Sequence, residues 1–186
     1  MIIRPEPARA EARVLEPTLW LTYPFAREWF DDALHEARTG HDHHSRRREI
    51  VFAVCFAEAY LVEWVWKEIL NYDLDRFAKH IRREERLGLT RLWRATLHRL
   101  LCDKLIPAMP ELEGDHGKEW KLLLDYRNGL VHSLASSPHK AKGKRPVSKT
   151  ELDDLCAGWA LRVVIDRVRR LHEAVNTPVP EWLVDP

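Results

Sequence analysis

The run from Ser45 to about Asn71 limits the possible folds more than any other part of this chain. Its middle, Ile50-Val51-Phe52-Ala53-Val54-Cys55-Phe56-Ala57, is apolar nearly all round. A helix of that length spans about 40 Å. One that is apolar on every side has to be covered on every side. The rest of the chain must therefore wrap it with further helices, or a second subunit must share it. Glu58 and Glu63 interrupt the apolar surface. Arg46, Arg47 and Arg48 at the start oppose the helix dipole and read as a solvated basic end.

The other segments read as the covering helices. Pro24 suits a first helical position and Gly40 a stop, which sets a helix over 24–39 with Phe25, Trp29, Ala33 and Ala37 at a spacing of four. Asp73 opens a short helix to residue 87 whose charges, Arg82 to Arg86, are of mixed sign. Thr90 suits the cap of a helix bearing Leu92, Trp93, Thr96, Leu97, Leu100, Leu101 and Leu105, which Pro107 and Pro110 end. Asp115 caps the next. Ser148-Lys149-Thr150-Glu151 is a capping-box pattern. It opens a last long helix with Leu152, Leu155, Cys156, Trp159, Val163, Val164, Val168, Leu171 and Val175, and Arg169 and Arg170 mark a basic outer face there. No strand pattern and no repeat emerges. The expectation is all-α: a single-domain bundle of five to six helices over residues 22–176, with a proline-interrupted arm at 1–21 and an extended tail at 177–186.

Composition removes several function classes. Net charge is +1, so any nucleic-acid footprint has to be local. The residues from His139 to Lys149 supply it: Lys140, Lys142, Lys144, Arg145 and Lys149 are five positive charges with no acid between them. Cys55, Cys102 and Cys156 are far apart in apolar runs. That reads as buried small hydrophobes in a reducing compartment, not as a disulfide or zinc framework. The N-terminus lacks a secretory pattern and no run reaches a membrane span, so a cytoplasmic location is expected. Gly-rich phosphate loops, nucleophile elbows and helix-turn-helix patterns are missing from the sequence.

The chemistry concentrates in the helix after Asp115. At about 100° per residue, Leu123, Leu124, Tyr126, Leu130, Val131 and Leu134 form an apolar stripe, and Lys121, Asp125, Asn128 and His132 a polar strip. Arg127 breaks the pattern, because it lies near the centre of the apolar stripe. A buried guanidinium needs a partner or a task. Glu58 is the natural partner to propose. Gly129, costly inside a helix, would let a backbone or phosphate come close beside Asn128 and His132. Arg followed by His five positions later occurs three times, at Arg38/His43, Arg127/His132 and Arg167/His172. The middle copy alone has Asn after the Arg and lies mid-helix.

The run Arg127-Asn128-Gly129-Leu130-Val131-His132 resembles the Arg-Asn-x-x-x-His signature of the HEPN superfamily, helical domains of higher eukaryotes and prokaryotes, many of them metal-independent endoribonucleases. The resemblance covers these six residues and the all-helical context over 22–176. It implies a homodimer in which two motifs face one cleft. His132 would act as general acid and base, Arg127 would orient the phosphate, and Asn128 would position the histidine or the phosphate. RNA would be cut to 2′,3′-cyclic phosphate and 5′-hydroxyl ends, with no cofactor. A toxin or phage-defence setting, with a neutralising antitoxin-type partner, follows from the same likeness. Leu134 departs from the Tyr of members governed by a nucleotidyltransferase antitoxin. A second reading stays open: a non-catalytic helical module that binds RNA, a nucleotide or a protein through the same cleft. A third is a metal-dependent hydrolase using His41, His43 and His44, against a plain solvated loop.

Overall fold

The computed structural model describes residues 25–71, 89–108, 115–135 and 147–186, with the backbone alone for Asp115 and residues 131–135. The expected arm at 1–21, the charged helix at 73–87 and the basic loop after His139 lie outside the described residues. Six α-helices are described: α1 (Phe25–Thr39), α2 (His43–Tyr60), α3 (Leu89–Cys102), α4 (Asp115–Ala135), α5 (Lys149–Asp153) and α6 (Trp159–Val175). Among the described residues there is no strand, so the architecture is an all-helical bundle.

Helix α2 is the central element, as its apolar surface requires. It packs on α1, α4, α5 and α6. Alanines set the α1–α2 contact: Ala26, Ala33 and Ala37 on α1 and Ala53 and Ala57 on α2 are all buried. Small side chains let the axes approach closely. Phe30 then inserts edge-on against Phe56 at 5.3 Å, and Trp29 tilts against Phe52 at 5.6 Å. The inward row of α1 is thus Ala26, Phe30, Ala33 and Ala37, one position round from the expected Phe25/Trp29 row. On α3 the expected pattern holds, with Leu92, Trp93, Thr96, Leu97 and Leu100 buried.

Two departures from the expected helices have local causes. The central helix does not stay α-helical to Asn71. From Leu61 to Ile69 it winds as a π-helix, closed by Leu70 N–H donating to the Val65 carbonyl, five residues back, at 2.8 Å. The wider turn changes the angular step, so the face below Tyr60 does not continue the α2 register. The last long helix is in fact two. The capping box is present: Glu151 N–H donates to Ser148 Oγ, and Ser148 N–H to Glu151 Oε2. But α5 stops at Asp153, and Gly158 sits at φ +74°, a left-handed conformation that suits glycine.

Two carboxylates, Glu49 buried and Glu63 half-buried, fasten the helix starts. Glu49, 1% exposed, accepts from the backbone N–H groups of Gly158, Ala160 and Leu161 at 3.0–3.4 Å, the unfilled donors at the start of α6. Burial pushes its carboxyl pKa up, and those hydrogen bonds and Arg46 pull it back in part. Glu63 receives the Ala26 N–H at 3.1 Å and does the same for α1. Two of the three arginines at the start of α2 are engaged by acceptors rather than free in solvent. Arg48 forks onto buried Glu36 at 2.6 and 3.0 Å, and Arg46 reaches Glu49 and the carbonyls of Gly40 and Leu155.

After α6 the chain turns through Asn176 at φ +57°. Thr177 N–H bonds the His172 carbonyl and Asn176 N–H the Glu173 carbonyl, the pattern of a Schellman stop. The tail then crosses the bundle. Trp182 lies 5.3 Å from Phe30, Leu183 is buried, and Asp185 pairs with Arg169 at 2.9 Å.

Candidate functional site

Helix α4 holds the motif. Trp120, Leu123 and Leu130 are buried on its inner side, and Tyr126 meets Trp159 of α6 edge-on at 5.9 Å. That packing sets the rotation of α4. Arg127 and Asn128, the next two positions, come to rest half-buried at the edge of the interface. Successive helical residues point about 100° apart. Arg127 nonetheless bends over so that its Nη1 donates to Asn128 Oδ1 at 3.3 Å. Gly129 is buried rather than open beside the polar strip.

Across from Arg127 stands α2. The Cys55 thiol is raised in pKa, first by burial and then by the negative charge of Glu58, while the positive charge of Arg127 pulls it down. Both charges are therefore close to one sulfur. Arg127 on α4 faces the Cys55–Glu58 turn of α2. Glu58 is nevertheless exposed, and among the described residues it forms no ion pair with Arg127. Cys55 stays a thiol at neutral pH and is not an activated nucleophile. The site thus offers a cationic fork and an amide, backed by a carboxylate in the same neighbourhood. Such a group can grip phosphate oxygens through two N–H donors.

His132 belongs to α4, one turn beyond Asn128; its side chain lies outside the described residues, as do Lys140, Lys142, Lys144 and Arg145. The three Arg/His pairs have different fates. Arg38 donates to the Asp185 carbonyl at 3.2 Å, and His43 Nδ1 is 3.8 Å from Asp153. Arg167 and His172 are both buried on the inner face of α6, not on a basic outer face. In that run Arg169 and Arg170 were the misleading signal. The correct one was that Arg167 and His172 continue the inward series of Val163, Val164, Val168 and Leu171.

His172 is 1% exposed. Its Nε2 is 2.5 Å from Tyr60 Oη, its Nδ1 is 3.0 Å from Thr177 Oγ1, and its ring stacks on Trp64 at 3.8 Å. Burial lowers its pKa and raises that of the Tyr60 phenol. This cluster spans α2, the π-helix, α6 and the tail.

The histidine-rich run 41–44 is a helix start. Asp42 caps α2 by accepting the Ser45 N–H at 2.8 Å, and its carboxyl pKa is lowered chiefly by that bond. The rings of His43 and His44 lie 4.0 Å apart, tilted at 38°, within the first turn. Among the described residues no three His, Cys, Asp or Glu side chains gather at metal-binding distance. The cysteines are less buried than their apolar neighbours suggested. Cys55 is half-buried, and Cys102 and Cys156 are exposed because they stand at a helix end and in the α5–α6 turn. No helix among the described residues is long and apolar enough to cross a membrane.

The fold and site define an all-α bundle with an Arg-Asn pair on one inner helix. Comparison with protein-family models, curated proteins and solved structures finds no match to this chain.

Proposed function

We propose that this chain is a metal-independent endoribonuclease of the HEPN type, acting as a homodimer and leaving 2′,3′-cyclic phosphate and 5′-hydroxyl ends. The observation that carries the proposal is the state of Arg127. It is half-buried, bonded to Asn128, and among the described residues it pairs with no carboxylate. A half-buried guanidinium without an ion pair is suited to an anionic ligand. In the proposed mechanism Arg127 holds the scissile phosphate and Asn128 orients it. His132 takes the 2′-hydroxyl proton and returns one to the leaving 5′-oxygen. The reference pKa of a histidine, about 6.5, is near working pH and suits both steps.

Along one helix Arg127 and His132 lie about 140° apart. A second copy, bringing its own motif to the same cleft, supplies the missing half. Lys140, Lys142, Lys144 and Arg145 steer the polyanion toward it. The setting that goes with this reading is a cytoplasmic toxin or phage-defence nuclease with a neutralising protein partner.

The test is cleavage of total RNA in a chelator by the wild type, Arg127→Ala and His132→Ala. Wild-type cleavage that His132→Ala abolishes is expected, and cleavage retained in that variant refutes the assignment. The same helix angle favours the alternative, a non-catalytic module. RNA bound without turnover, with a salt dependence that flattens when residues 140–145 are neutralised, selects it.

A further inference from the structure

Arg167 is 8% exposed on the inner face of α6. Its guanidinium carbon lies 4.3 Å from the ring centre of Trp120 on α4 and 4.9 Å from that of Trp93 on α3. The two indoles meet edge-on at 5.7 Å. One positive charge is thus boxed by two aromatic rings where three helices join. Cation–π attraction offsets part of its lost hydration. Burial pushes its pKa down to about 10, which leaves it charged at neutral pH.

The rings do not satisfy the hydrogen bonds. Arg167 Nε, Trp93 Nε1 and Trp120 Nε1 are each buried, and each lacks a hydrogen-bond partner. Elsewhere Trp66 Nε1 donates to Thr96 Oγ1 at 3.0 Å and Arg48 Nε to Glu36 at 2.6 Å, and outside this cluster Arg47 Nε alone among the described residues is left in the same state. Buried donors left without acceptors are rare and call for a water or an ion. The cluster holds three such donors and a positive charge, and among the described residues no carboxylate pairs with Arg167. Water brings donors of its own into a cluster that already has too many. An anion brings acceptor capacity and the opposite charge.

We propose that Trp93, Trp120 and Arg167 form a binding site for one small inorganic anion of halide size, with chloride the occupant in solution. A small anion is chosen because the two indoles are 1% and 4% exposed and the guanidinium 8%, which leaves no open face for a larger one. The anion ties α3, α4 and α6 together. Trp120 lies about two turns before Arg127 on α4, so occupancy also steadies the helix that carries the motif.

The full chain is melted while chloride replaces gluconate at constant ionic strength. A saturable rise is expected, about 4 °C at a tenfold excess over the dissociation constant. Crystals soaked in bromide should show one anomalous peak within hydrogen-bond reach of the three nitrogens. Arg167 variants can fail to fold, so Trp93→Phe and Trp120→Phe carry the comparison. Each keeps an aromatic ring, though a smaller one, and loses one N–H, and each should weaken chloride binding about tenfold. A merely structural box of rings predicts no such loss. The proposal is overturned by a melting temperature unmoved by chloride, or by a rise that is unsaturated and identical in both variants. It is equally overturned by an empty site in bromide, or by phosphate acting where chloride does not.

Discussion

Acid should unfold this protein partly through His172, and the size of the effect follows from its surroundings. The ring is buried between Tyr60, Trp64 and Thr177. As a neutral imidazole it accepts from the Tyr60 hydroxyl at Nε2 and donates from Nδ1 toward Thr177. Protonation would reverse the Nε2 contact, with the imidazolium donating to the Tyr60 oxygen, and would place a charge where burial lowers the pKa. The unfolded chain takes up the proton at the ordinary value, about 6.5. Below that pH the unfolded state binds more protons than the folded one, so stability falls as pH falls, down to the folded pKa. For a ring that stays neutral in the fold, the loss between pH 7 and pH 5 is at most about 2 kcal/mol. Stacking on Trp64 favours the charged ring and trims that figure. Glu49 and Glu63, whose carboxyl pKa values are raised chiefly by burial, work in the opposite direction as they take up protons. The informative measurement is therefore a difference. Urea unfolding from pH 7.5 to 5 is compared between the wild type and His172→Gln, whatever the variant's absolute stability. The wild type should lose more than the variant, by up to about 2 kcal/mol. Parallel profiles would refute the account of a histidine held neutral.

Other substitutions test the remaining arguments. Glu49→Gln should cost about 1–3 kcal/mol, because an amide cannot accept all the backbone donors that Glu49 serves; a variant within 0.5 kcal/mol or so of wild type in urea would contradict this. Gly158→Ala should cost about 1–2 kcal/mol from its positive φ, plus a clash, since a Cβ there meets Pro186 at 2.8–2.9 Å. Deleting Pro186 should relieve the clash and leave the backbone strain. Phe30→Ala, emptying the α1–α2–tail contact, should cost about 3–5 kcal/mol by denaturant unfolding. In a Cys102→Ser/Cys156→Ser background, Arg127→Ala should slow alkylation of Cys55 near neutral pH, because the charge that lowers its thiol pKa is gone. An unchanged rate would separate α4 from α2 at that point.

The helices were legible where one periodicity decided the outcome. The α1 stop at Gly40, the buried row of α3 and the Ser148–Glu151 box all depend on neighbours three or four residues apart. The break before α6 was not legible, because its cause, Glu49, is more than a hundred residues away in sequence. The start of α2 misled for a related reason. Three arginines in a row read as solvated, yet Arg46 meets Glu49 within its own turn and Arg48 meets Glu36, which the packing of α1 on α2 brings into reach. Within the candidate site, sequence singled out Arg127 as a cation inside an apolar stripe. It passed over Arg167, which breaks its own stripe in the same way, because the adjacent Arg169 and Arg170 drew the eye outward.

What this sequence determines by itself is local. A nearly all-apolar helix must be wrapped, and amphipathic segments with their caps must do the wrapping, since both follow from side-chain period and backbone donors within one turn. Tertiary structure alone decided what meets the polar groups inside: Glu49 under α6, Arg167 between two indoles, and His172 beneath the tail. A charge can be buried only where partners from other elements meet it, and where those partners meet is a property of the packed bundle rather than of any stretch of chain.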